Sequence, residues 1–116
     1  MLRQGSVIQA WVSDPQGRNR KLRPLIIVTP TDELSAGDEF YAVAITSSFA
    51  DPLNPDEILL PFHPTGQAKS GLRKKCVAKC SWLVPLLATD VHDVQGFIAT
   101  QRMAGILHTI GQLPSK

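Results

Sequence analysis

Arg23 and Thr46 are the residues of this sequence whose types and neighbours best suit a reaction on an anion. Arg23 precedes Pro24 and the apolar run 25–28, which is rich in β-branched residues and indicates a buried strand. Proline is tolerated at the start of a strand, so Arg23 is predicted to lie at the rim of a sheet, where a guanidinium can clamp an anion. A second apolar run, 42–48, ends in three hydroxyl residues. If the two strands pair, Arg23 and Thr46 lie at the same end of one sheet.

One cation and several hydroxyls suit the scission of RNA. The ribose 2′-OH is an internal nucleophile already placed beside the phosphorus, so the protein has to bind the phosphate and stabilise the charge that grows on its oxygens. Arginine is a poor proton donor at neutral pH. We therefore predict that Arg23 acts as an electrostatic stabiliser and that Thr46 hydrogen-bonds to the phosphate or a nearby sugar, assisted by Ser47 and Ser48.

Basic residues concentrate in two segments. The net charge is only +2, which alone says little about nucleic acids, but eight of the twelve Lys and Arg residues fall within 18–23 and 69–75. A charge run is often only a solvated face. The alternative is that these segments hold flanking phosphates in a salt-sensitive manner. On that interpretation the RNA-binding residues are Arg18, Arg20, Lys21, Lys69, Arg73 and Lys74.

Other kinds of catalytic site are not indicated. The sequence contains no Gly-rich phosphate loop, nucleophile elbow or His-Glu-x-x-His motif. Cys76 and Cys80 have no second pair of ligands for zinc, and we interpret them as small buried thiols. Of the three histidines, only His63 is a candidate neighbour of the site. We predict no metal and no cofactor.

Structural alternatives exist for both proposed catalytic residues. Arg23 could form an ion pair with a carboxylate such as Asp14. Thr46 could be a strand-end residue bonded to the backbone. These alternatives remain open at the level of sequence.

The length of 116 residues indicates a single domain, 1–116. No apolar run approaches the roughly 20 residues that a membrane span needs. The first residues lack the apolar region of a signal peptide. We therefore expect a cytoplasmic protein.

The elements that must position these residues are mainly short strands. The patterns predict strands over 6–12, 23–29, 39–45, 57–62, 73–83 and 96–98, with helical turns at 32–34 and within 89–94. An amphipathic helix over 101–111 is predicted, with Thr100 as N-cap and Gly111 as C-cap. The predicted class is mainly β with α: a compact, strongly bent SH3-like β-barrel with a C-terminal helix.

Together these features resemble the MazF/PemK family, the endoribonuclease toxins (mRNA interferases) of type II toxin–antitoxin systems. The resemblance spans nearly the whole chain. Its most specific parts are the Arg-Pro strand and the Ala-Ile-Thr-Ser strand end, and it also includes Asp14-Pro15 and Gly71-Leu72. The chain departs from the family in its basic first loop, 18–22, and in Cys80-Ser81-Trp82, which stands where many members carry a polar pair.

The resemblance implies a homodimer that binds single-stranded RNA in a groove. It implies metal-independent cleavage to a 2′,3′-cyclic phosphate and a separate antitoxin protein that blocks the groove. The family's catalytic arginine falls on Arg23, and its catalytic hydroxyl residue falls on Thr46.

Two other functions fit the same fold. The chain could be a catalytically inactive PemK-like module that binds nucleic acid or protein. It could also resemble the gyrase-poisoning CcdB toxins, but these rely on a tryptophan near the C-terminus. Here the tryptophans are Trp11 and Trp82, which does not favour the CcdB alternative.

Overall fold

A computed structural model describes residues 2–34 and 39–113. Its main element is an antiparallel sheet with the strand order β4-β5-β3-β2-β1-β6. The strands are β1 (Ser6–Val12), β2 (Lys21–Ile27), β3 (Phe40–Thr46), β4 (Glu57–Leu59), β5 (Val77–Leu86) and β6 (Val91–Phe97). Short 3-10 turns cover Thr31–Glu33 and Ala88–Asp90, and one helix, α1 (Thr100–Gln112), follows.

The predicted class, mainly β with a C-terminal helix, is confirmed, but the barrel is not closed. Within the described residues, β4 and β6 are the two edges of the sheet and do not pair with each other. The sheet carries an apolar cluster on each face. Met103 and Ile106 of α1 pack into the cluster that contains Val7, Ile26 and Val43. The other cluster contains Ile8, Leu25, Ile27 and Ala44.

Several predicted boundaries differ from the observed ones. β5 continues through Pro85 to Leu86, and a full strand, β6, replaces the predicted short strand 96–98 and most of the turn 89–94. Ala99, not Thr100, is the N-cap of α1, and Leu113, not Gly111, is its C-cap. In the described part of the chain, no helix is long and apolar enough to cross a membrane.

Gly96 allows the loop 69–71 to dock on β6. The Phe97 amide donates to the Lys69 carbonyl over 2.9 Å. A Cβ on Gly96 would overlap that carbonyl and the backbone of Ser70. Ser70 is fully buried, and its hydroxyl donates to the Pro61 carbonyl over 2.7 Å. The absence of a side chain at Gly96 therefore brings this loop against the sheet.

Gly96→Ala should destabilise the fold, because the new methyl group meets backbone rather than a movable side chain. Overpacking of this kind costs about 1–3 kcal/mol. Urea unfolding followed by circular dichroism measures the loss. Gly105→Ala on α1 is the matched control, since nothing lies within 4 Å of its added Cβ. In a helix that change should stabilise by about 0.5–1 kcal/mol, and equal effects of the two variants would contradict the docking role of Gly96.

Glu57 holds the loop that leads from β3 to β4. Its buried carboxylate accepts hydrogen bonds from the amides of Asn54 at 2.8 Å and Ala50 at 3.4 Å, and it forms an ion pair with Lys79 at 3.4 Å. The Asn54 amide is the main cause that holds the pKa of Glu57 below its ordinary value of 4.5, despite the opposing effect of burial. Lys79 also pairs with Asp56 at 3.2 Å.

Glu57→Gln should make the protein less stable at pH 7. Because the folded-state pKa of Glu57 is lowered, the ionised carboxylate stabilises fully above its unfolded pKa, and this contribution is lost as the pH falls through the folded pKa. The variant should therefore show a shallower fall of the melting temperature between about pH 5 and pH 2. Glu33→Gln, at an exposed carboxylate, is the matched control. Parallel pH profiles for wild type and Glu57→Gln would contradict this role.

Candidate active site

A cleft of about 500 Å³ opens where β2 and β3 stop pairing. The last paired residues are Leu25 and Ala44. The Val28 amide donates to the Tyr41 carbonyl over 2.9 Å, so the even-numbered residues of β2 direct their hydrogen bonds to β3. Pro24 is the next such position after Ile26, and it has no N–H to donate. The ladder between β2 and β3 ends there, and the first residues of β2 and the last residues of β3 form walls of the cleft.

The structure brings Arg23 and Thr46 to the same end of the sheet, as the sequence predicted. Continuing the β2–β3 register by two residues from Leu25 and Ala44 places them opposite each other. Both residues line the cleft and are half-buried.

Arg23 is held by backbone carbonyls and an indole ring. Its Nε donates to the Val12 carbonyl over 3.0 Å, and one Nη donates to the Asn19 carbonyl over 2.9 Å. Its guanidinium carbon lies 5.2 Å from the centroid of the Trp82 ring, within the range of a cation–π interaction. Among the described residues, the hydrogen bonds of Arg23 use only two of its N–H groups, which leaves donors for a phosphate.

The first loop is shaped around Asp14. Its carboxylate accepts hydrogen bonds from the amides of Gln16 and Arg18 and from the side chain of Asn19. The Arg18 amide is the main cause that lowers the pKa of Asp14, and the charge of Arg23 contributes. In the described structure Arg23 bonds to carbonyls, and the recorded ion pairs are those of Lys79. The alternative that Arg23 forms an ion pair with Asp14 is therefore wrong, although the two charges interact.

The Thr46 side chain is hydrogen-bonded to the backbone of Ser48. Its Oγ1 accepts a hydrogen bond from the Ser48 amide at 3.0 Å and lies 3.4 Å from the Ser48 carbonyl. The alternative of a strand-end residue bonded to the backbone is therefore observed. The second contact is long, so the hydroxyl proton is free to turn toward a ligand. A chemical role for Thr46 stays a prediction.

The predicted RNA-binding residues divide into two groups. Lys21, Ser47, Arg73 and Lys74 line the cleft together with Arg23 and Thr46, whereas Arg18, Arg20, Ser48 and Lys69 lie outside its lining. The cations at the cleft are Lys21, Arg23, Arg73 and Lys74, and its described lining contains no carboxylate. The cleft is thus suited to a polyanion.

Two glutamines of the cleft were missed at the level of sequence. The Gln9 amide donates to the Gln95 side-chain oxygen over 3.2 Å, and Gln95 donates to the Gly71 carbonyl over 2.7 Å. All three residues line the cleft. They come from distant segments joined by the pairing of β1 with β6, and no local pattern marks them.

The cysteines and His63 do not add a nucleophile. Cys76 and Cys80 are buried free thiols, as predicted. Burial raises the pKa of Cys76 and is the main cause that raises the pKa of Cys80 to about 11, so both are protonated at neutral pH. His63 is exposed, contacts Thr65 through Nδ1 at 2.8 Å and does not line the cleft.

Solved structures of MazF toxins share this fold. An endoribonuclease in complex with its cognate antitoxin from a mycobacterial species matches with a TM-score of 0.73 and 15% identity, over 100% of both chains. The Mycobacterium tuberculosis toxin MazF-mt6 matches with a TM-score of 0.70 and 18% identity, over 91% of this chain and 92% of that one. A MazE–MazF structure from Deinococcus radiodurans matches with a TM-score of 0.68 and 15% identity, over 95% and 91%. No protein-family model and no curated protein matches the chain. The chain therefore has a MazF-like fold, which confirms the predicted resemblance at the level of fold.

Proposed function

We propose that this protein is an endoribonuclease toxin of a type II toxin–antitoxin system. It cleaves single-stranded RNA selectively at particular sequences, without a metal ion, and leaves a 2′,3′-cyclic phosphate. The observation that carries the proposal is the cleft itself. Arg23 and Thr46 line it just beyond the last residues that pair β2 with β3, and further cations surround them on a MazF-like fold.

The proposed reaction uses the RNA's own nucleophile. The 2′-oxygen attacks the adjacent phosphorus and gives its proton to solvent water, while the bond from phosphorus to the 5′-oxygen breaks and that oxygen takes a proton from solvent. Negative charge on the non-bridging oxygens increases along the way. Arg23 stabilises this charge through the N–H groups that are not bonded to Val12 and Asn19. The Thr46 hydroxyl donates a hydrogen bond to the phosphate or to the neighbouring ribose.

The partners follow from the same proposal. The solved neighbours include an endoribonuclease with its cognate antitoxin and a MazE–MazF structure. We propose that a separate antitoxin chain covers the cationic cleft of this protein and that the toxin is a homodimer in the cytoplasm. The antitoxin segment that enters the cleft should be acidic, because the cleft lining is cationic.

One observation favours a second candidate, the inactive binding module. Arg23 is tied to two carbonyls and stacked on Trp82, and the Thr46 hydroxyl is bonded to the Ser48 backbone. Such partners could hold both side chains in a purely structural role while the cations still bind RNA. The two candidates differ in whether loss of Arg23 changes turnover or only affinity.

Arg23→Ala should lower the cleavage rate of a long single-stranded RNA in EDTA by about 10²–10³-fold, the cost of removing one charge-stabilising donor. A gel-based time course under single-turnover conditions measures the rate. Arg3→Ala is the matched control, since Arg3 also stacks on an aromatic ring, Phe97, at 4.7 Å but lies outside the cleft lining. Binding without cleavage by the folded wild type would favour the binding module. Equal cleavage by wild type and Arg23→Ala would place the active site elsewhere.

RNA binding should weaken steeply with salt because the cations of the cleft displace counterions condensed on the RNA phosphates. For single strands, the slope of log binding constant against log salt is about −0.7 for each neutralised phosphate. Lys74→Ala should therefore make the slope less negative by about 0.7, measured by fluorescence anisotropy. Lys69→Ala removes a charge outside the cleft lining and should change the slope less. An equal change for both variants would mean that binding reflects general surface charge.

A further inference from the structure

We propose that Trp11, with Arg20 over its ring, is a stacking position for one unpaired base of a bound RNA, adjoining the cleft. This inference rests on the proposed function because it takes RNA as the occupant of the cleft. It adds a residue that neither the resemblance nor the charge clusters single out.

Trp11 lies on the same sheet face as residues that line the cleft. It pairs directly with Leu22, and directly opposed residues of antiparallel strands place their side chains on one face. Gln9, two residues earlier on β1, shares that face by the alternation of the strand. Leu22 and Gln9 both line the cleft. The backbone of Trp11 is therefore one strand repeat, about 7 Å, from that of Gln9, and it lies directly across from Leu22 at the margin of the cleft.

The indole is available to a ligand. Trp11 is 49% exposed, although its neighbours Ala10 and Val12 are buried on the opposite face. A single exposed apolar side chain needs no explanation by itself. This one, however, extends a cationic cleft that is suited to a polyanion. A flat ring beside a backbone-binding groove is the arrangement by which proteins bind single-stranded nucleic acid.

Arg20 supplies the charge at this position. Its guanidinium carbon lies 5.9 Å from the centroid of the Trp11 ring, and the next residue, Lys21, lines the cleft. The nearby carboxylate of Asp14 is occupied by the amides and the Asn19 side chain of its own loop. Arg20 can remain over one face of the indole while a base stacks on the ring, and its N–H groups can bind the adjoining phosphate.

The occupant argued here is RNA rather than a protein. An acidic peptide would also be attracted by the charge, but it would gain nothing specific from a flat indole. A nucleotide offers both an anion and an aromatic face. Because every base has such a face, the stacking should tolerate different base identities.

The test compares two ligands of equal length and charge. One is a 2′-O-methyl oligoadenosine, which cannot undergo attack by the 2′-oxygen, and the other is the same backbone with abasic sites. Trp11→Ala should weaken binding of the base-bearing oligomer by about 5- to 150-fold, from a stacking contribution of about 1–3 kcal/mol per base. It should leave binding of the abasic oligomer nearly unchanged. Trp11→Phe, which keeps an aromatic face, should recover most of the affinity.

Tyr41→Ala is the matched control, because Tyr41 is 45% exposed on β3 and lies outside the cleft lining. It should bind both oligomers as the wild type does. Thermal unfolding establishes that each variant is folded. If Trp11→Ala is not, Trp11→Leu, which keeps apolar bulk without an aromatic face, carries the test and should show the same selective loss. Equal losses for both oligomers, or Trp11→Ala that binds like Tyr41→Ala, would overturn the stacking position.

The outcomes separate this inference from the proposed function. If the wild type cleaves long RNA but Trp11→Ala keeps full affinity for the base-bearing oligomer, only the stacking position is overturned. If the wild type neither cleaves long RNA nor binds 2′-O-methyl oligoadenosine or oligouridine, both the stacking position and the proposed function are overturned. If only binding of a cognate antitoxin is lost in Trp11→Ala, the indole is a protein contact and the RNA assignment is wrong.

Discussion

The missing N–H group of Pro24 ends the pairing of β2 with β3 at the point where the cleft opens. The β2–β3 ladder runs as far as Leu25 and Ala44, and the next donor toward β3 would have been the backbone nitrogen of residue 24. Because proline cannot donate, the two strands end their pairing inside the sheet rather than at its margin. If the ladder continued by two more pairs, Arg23 and Thr46 would face each other across strands about 5 Å apart, which would leave no cleft between them. The residue that ends the strand pairing thus also opens the site.

Much of the fold could be predicted because most strands alternate or are continuously apolar. β1 follows this rule, and α1 could be predicted from the helical spacing of its apolar residues. β6 does not, since its polar residues and two register irregularities against β1 break the period of two. The extent of β5 was missed for a different reason. In the sequence, Pro85 indicates a break. In the structure β4 pairs only with residues 77–79 of β5, so near Pro85 β5 is paired with β3 alone. An edge of this kind tolerates a proline.

In the site, too, residues marked by a local sequence pattern could be predicted, and residues brought together by long-range pairing could not. Arg23 and Thr46 could be proposed because each stands at the margin of an apolar run within its own segment. Gln9, Gln95 and Gly71 share the cleft only through long-range pairing, which no local pattern encodes. Trp82 is a further case: three residues of β5, 80–82, lie between the partners of Val43 and Ala44, and this bulge accompanies the contact of the indole with Arg23.

The restraint on Arg23 has two opposing physical consequences. Holding the guanidinium with the Val12 and Asn19 carbonyls and the Trp82 ring removes rotamer freedom before a phosphate arrives, so less entropy is lost on binding. The same contacts use two N–H groups of Arg23 and cover the side of its guanidinium that faces the Trp82 ring. A lysine held by the same contacts would offer only a point charge, with no N–H groups fixed in direction. The planar fork of arginine keeps oriented N–H groups after two are bonded, so a fixed position and anion binding are compatible in this one side chain.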